Sequence, residues 1–100
     1  MDTYNYDQIT ILSVEPVGED AVKVRYRIML ETLYFCPGAN MEVNQNETLI
    51  TFVRCPINKI CAVTNVANKE SSGEDSIMVA NNKTPIYIVS DGAKKKIYPQ

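Results

Sequence analysis

Residues 21–30 read Ala-Val-Lys-Val-Arg-Tyr-Arg-Ile-Met-Leu, so that apolar Val22, Val24, Tyr26, Ile28 and Leu30 alternate with Lys23, Arg25, Arg27 and Met29. A helix, with its period of 3.6 residues, would scatter those five apolar side chains around its circumference, whereas a strand, with a period of two, gathers them on one face. The segment is therefore predicted to be a strand that covers a hydrophobic core. Lys23, Arg25 and Arg27 then share the opposite face, where they form either a solvated outer surface or a basic ladder able to bind an acidic protein or a sulfated glycan.

Similar signals recur along the chain. Residues 9–14 form a β-branched run that ends in the turn-like stretch 15–20, which contains Pro16 and Gly18. Residues 32–36 continue extended as far as Pro37-Gly38, and residues 40–44 suggest a short edge strand before a polar turn at 45–47. Residues 48–54 and 61–66 carry apolar side chains on both faces, as central strands do, and residues 77–80 read as a short strand. The polar stretch 67–75 reads as the longest exposed loop.

The C-terminal segments 86–89 and 94–98 flank Asp91-Gly92, a pair suited to the positive φ angles of a two-residue type I′ hairpin turn. That turn sets Ile86 opposite Ile97, Tyr87 opposite Lys96 and Val89 opposite Lys94. Lysines at 94, 95 and 96 are what an edge strand uses to discourage pairing with other chains.

About eight short strands with no amphipathic helix indicate an all-β fold. The expected architecture is a two-sheet antiparallel β-sandwich of immunoglobulin-like or fibronectin-like size, with a small β-barrel as the alternative. A length of 100 residues suits one such domain over residues 1–100. No tryptophan is available to pack against an inter-sheet disulfide as in antibody domains, so the sequence supports the architecture and no particular family.

Absent residue types narrow the chemistry. Without histidine the chain has no side chain that ordinarily titrates near neutrality, which removes histidine-dependent serine and cysteine mechanisms within one chain. The four glycines stand singly, so no glycine-rich phosphate loop is present, and the acidic pairs 19–20 and 74–75 lie in turn-like stretches. A net charge of −2 is unlike a nucleic-acid binder, and no apolar run approaches the ~20 residues of a membrane-spanning helix. Residues 1–8 also lack the basic and apolar regions of a signal peptide.

Three cysteines cannot all pair within one chain. A five-residue hairpin connection would place Cys55 opposite Cys61, close enough for a disulfide, whereas a four-residue connection would send the two sulfurs to opposite faces. A disulfide with one thiol left over suits a secreted or periplasmic protein, and three buried thiols suit a cytoplasmic one. No cofactor and no metal site are expected, because three thiolates fall short of a four-ligand zinc set. The expected function is a non-catalytic binding or structural module, extracytoplasmic, with a protein or glycan partner. A cysteine-dependent metal, haem or redox protein is one alternative; a small protease inhibitor presenting residues 37–41 or 67–75 is another.

Overall fold

A computed structural model describes residues 2–99. After a 3-10 turn (Tyr6–Gln8), strands β1 (Ile9–Val17) and β2 (Ala21–Ile28) form a hairpin. Then come β3 (Tyr34–Phe35), β4 (Gly38–Val43), β5 (Thr48–Phe52), β6 (Cys55–Pro56) and β7 (Asn65–Val66). The chain closes with β8 (Asn68–Ser71), β9 (Glu74–Ala80), β10 (Ile86–Ser90) and β11 (Ala93–Tyr98).

The strands build a four-stranded sheet in the order β1-β2-β9-β8, a five-stranded sheet in the order β11-β10-β5-β4-β7, and a two-stranded ribbon of β3 and β6. The fold is an open two-sheet β-sandwich, and its sheets do not close into a barrel. Pairing is antiparallel with one exception: β10 runs parallel to β5, with Tyr87 beside Leu49. The expectation of a wholly antiparallel sandwich is corrected at this pair. Parallel neighbours need a long crossover, and here the chain between β5 and β10 passes through the other sheet to form β8 and β9.

The core lies where alternation places it. Val22, Val24 and Tyr26 of β2, with Ile77 and Val79 of β9, meet Ile50 and Phe52 of β5 and Ile86 and Ile88 of β10. Alternation outlasts the strand, however. β2 ends at Ile28, so Leu30, expected on the core face, stands 90% exposed beyond it.

Other differences share one physical cause, which is that position in a sheet is set by partners distant in sequence. Strand β1 continues past its expected end to Val17, with Pro16 opposite Val22; on an edge strand the missing N–H of proline costs no ladder bond. Segment 40–44 falls in β4 except for its last residue: residues 40–43 pair with β5 alone, as an edge does, and only the preceding Gly38 and Ala39 are also flanked by β7.

Residues 61–64 are not in a strand, and only Asn65–Val66 pair, as the edge strand β7. There Thr64 acts in place of a ladder: its Oγ1 accepts the Met41 N–H at 2.8 Å, and its own N–H donates to Asn40 Oδ1 at 3.1 Å. Segment 67–75, expected as a loop, is mostly the β8–β9 hairpin. All four residues of β8 are exposed, so its polarity marks a sheet edge.

The C-terminal hairpin turns at Asp91 (φ 50°) and Gly92 (φ 78°). It pairs Tyr87 with Lys96 and Val89 with Lys94, and a bulge then sets Ile86 opposite Tyr98 where Ile97 was expected. β11 is an edge strand.

Candidate functional site

The sequence places two cysteines six residues apart around Pro-Ile-Asn-Lys-Ile, too short a connection to bury Ile57 or Ile60. Cys55 and Cys61 form a disulfide with Cα atoms 6.1 Å apart. The route to it differs from a simple hairpin: Cys55 lies in β6, paired with Phe35 of β3, and Cys61 lies outside any strand. The bridge closes residues 55–61 into a loop whose Lys59 N–H donates to Pro56 O at 3.0 Å.

A second loop, residues 29–33, is fastened to the first. The Ile57 N–H donates to Leu33 O at 3.0 Å, and the β3–β6 ribbon joins the two loop bases. Arg54 sits at that junction. Its Nε donates to Glu31 Oε1 at 3.0 Å, its second nitrogen donates to Oε2, and its guanidinium lies 3.5 Å from the centre of the Tyr34 ring. Hydrogen bonds from Arg54 hold the Glu31 carboxyl below its ordinary pKa, and the same pair raises that of Arg54.

These braces hold apolar side chains out of the core. Leu30 (90%) and Ile60 (101%) are almost wholly exposed; Met29, Leu33, Phe35 and Ile57 are exposed as well. A lone exposed leucine needs no explanation, but six large apolar side chains on two mutually bonded loops and the ribbon that joins them do. Beside them opens a cleft of about 410 Å³ lined by Met29, Leu30, Phe35, Cys36 and Asp75 among others.

Cys36 is the unpaired thiol, half-buried, donating to Gly38 O at 3.3 Å. Burial pushes its pKa up to about 11. The hydroxyl of buried Tyr26 faces this thiol, and burial raises its pKa too. At pH 8 the shift from 9.0 to about 11 lowers the thiolate fraction about a hundredfold. Native protein is accordingly expected to react with a thiol-specific chromogenic disulfide far more slowly than urea-unfolded, non-reduced protein, with one thiol titrated in each case. Equal rates would contradict the burial.

The basic ladder is placed on the outer face, but two of its members are occupied. Lys23 Nζ lies 2.7 Å from Glu70 Oε1, and an Arg25 guanidinium nitrogen lies 2.7 Å from Glu74 Oε1. Arg27 alone of the three forms no ion pair among the described residues. Likewise, among the described residues no group of three or more Cys, Asp or Glu side chains could hold a metal ion, and no helix is long and apolar enough to cross a membrane.

Comparison with protein-family models, curated proteins and solved structures finds no match for this chain. The site therefore rests on its own residues. Strand alternation places Leu30 on the core face, and no local pattern gives Leu33, Ile57 or Ile60 a role. The legible signal was a pair of isoleucines inside a short loop bounded by cysteines.

Proposed function

We propose that this chain is a non-catalytic binding module of an extracytoplasmic protein and that it holds another protein through the apolar side chains of its two braced loops. The observation that carries this reading is the exposure of Leu30, Leu33, Ile57 and Ile60 on loops fixed by a disulfide, a backbone bond and the Arg54–Glu31 pair. Pre-fixed loops lose little freedom on binding, which leaves more of the gain from burying those side chains as affinity. Flat, water-stripped aliphatic contact suits the centre of a protein interface better than a sugar, and the disulfide favours an oxidising compartment.

The alternatives draw less support. Two of the three cysteines are joined and the third is held protonated. Segments 37–41 and 67–75, considered above as inhibitory loops, fall largely within β4 and the β8–β9 hairpin.

The test places a photo-crosslinking side chain at Leu33 or Ile60 in cells of the source, with Val17, also exposed, as the control position. Both loop positions are expected to give an adduct of the same mass that Val17 lacks. Replacing Cys55 and Cys61 with alanine is expected to cost about 2 kcal/mol of stability and to weaken that adduct. No adduct at either loop position, or the same adduct at Val17, would reject the reading.

A further inference from the structure

We propose a second binding surface: the open side of the sandwich between edge strands β1 and β11 accepts an extended acidic segment of another protein as an added strand beside β1. β1 is the outermost strand of the four-stranded sheet and β11 that of the five-stranded sheet. Between them lies a groove of about 380 Å³ whose apolar wall is Ile9, Ile11, Ile88 and Ile97.

The phase of the β1 ladder turns main-chain groups toward this groove. In an antiparallel pair, hydrogen-bonded and non-bonded residue pairs alternate. The Met29 N–H donates to Gln8 O at 2.9 Å, so the pair 8/29 is a bonded one. Thr10/Arg27 is then bonded, and Ile9/Ile28 and Ile11/Tyr26 are not. Ile9 and Ile11 consequently direct their main-chain groups away from β2. The Ile9 N–H is taken by Tyr6 O, which agrees with that direction, and the Ile9 carbonyl and both groups of Ile11 remain for an incoming strand.

The other edges of the two large sheets, among the described residues, carry obstacles to strand addition: β11 carries lysines at 94 to 96. β7 is two residues long and β8 is four polar residues. The far half of β1 has a bulge between Ile11 and Ser13 and then Pro16. Residues 9–11 have neither obstacle.

Charge selects the occupant. Lys95 lies opposite buried Ile88 and so shares its inward face, at the groove. Lys95 and Lys96 both line the groove and form no ion pair among the described residues, whereas neighbouring Lys94 is paired with Glu47. On the other flank Thr10, which lines the groove, stands opposite Arg27, which forms no ion pair among the described residues. A neutral or basic strand would leave Lys95 and Lys96 uncompensated here; an acidic one neutralises them while its alternate apolar side chains fill the wall of isoleucines.

The probe is a labelled synthetic peptide of about eight residues in which glutamate alternates with valine or isoleucine, read by fluorescence anisotropy. Saturable binding is expected, together with amide shifts of Ile9 to Ile11 in NMR spectra. A peptide with lysine in place of glutamate is expected not to bind. Lys95→Glu combined with Lys96→Glu, both at exposed positions, is expected to weaken binding about tenfold or more. Ile11→Pro removes the outward N–H without breaking a bond to β2 and is expected to abolish binding, while Ile11→Val retains it. Failure of the acidic peptide to bind, equal binding of the basic peptide, or undiminished binding to the double charge reversal would overturn the proposal.

Discussion

Replacing Phe52 with alanine is expected to remove roughly 3–5 kcal/mol of stability, a large share of the 5–15 kcal/mol typical of a domain. Phe52 is completely buried on β5, and its ring centre lies 4.5 Å from that of Tyr26, tilted by 52°. Tyr26 belongs to the four-stranded sheet and Phe52 to the five-stranded one, so this ring pair is a direct bond between the two layers. Its loss leaves a cavity, and it also removes the apolar cover from a tyrosine whose hydroxyl is buried. Thr51→Ala, one residue earlier and on the opposite face, serves as the control and is expected to cost less than about 1 kcal/mol. Urea unfolding followed by fluorescence measures both. If the two variants lose the same stability, the assignment of the β5 core face is wrong.

What the sequence shows of this fold is what neighbouring residues decide among themselves. The alternation of residues 21–30 fixes which face of β2 is buried, because side-chain direction in a strand is a local property. Asp91-Gly92 likewise fixes the register of the last hairpin near its turn, and the register drifts only at the bulge beyond Tyr87. The pattern is silent about where a strand stops. Leu30 keeps the period, but no neighbouring strand extends far enough to keep it in the sheet.

Features built from distant partners are invisible at that level. Lys23 and Arg25 find their carboxylates 47 and 49 residues further along the chain, so a ladder that reads locally as three free cations has two of them in ion pairs. β8 read as a loop because its polar residues pair with β9 at the edge of the sheet, a position no local pattern reveals. Spacing alone allows the Cys55–Cys61 bridge without requiring it, since a four-residue connection would part the two sulfurs. The β3–β6 ribbon and the Arg54–Glu31 pair that carry the site beside it are not legible there, since they join residues 20 to 23 apart.

Gly38→Ala is expected to be the other severe substitution, at roughly 2–5 kcal/mol, although it adds a single methyl group. Gly38 has φ +152°, outside the range L side chains favour, and a Cβ built there would lie 2.1 Å from Asn65 O and 3.0 Å from the Ala67 N. Both obstacles are backbone, so no side chain can turn aside to make room. β7 would have to move off β4, breaking the pairs Gly38–Val66 and Ala39–Asn65. The damage would spread, because the Asn65 amide donates to Met78 O on the opposite sheet, and Gly38 O accepts both the Val53 N–H and the Cys36 thiol. Gly73→Ala separates the two contributions to this cost. It has φ +76° but nothing within 4 Å of the added carbon, so it isolates the strain of positive φ, about 1–2 kcal/mol. Urea midpoints for both variants, with amide exchange at Asn65 and Val66, would resolve them. An equal loss in the two would mean that close approach of β7 to Gly38 contributes nothing; a larger loss at position 38, with exchange quickened at β7, means that this contact holds the edge strand beside the free thiol and the cleft.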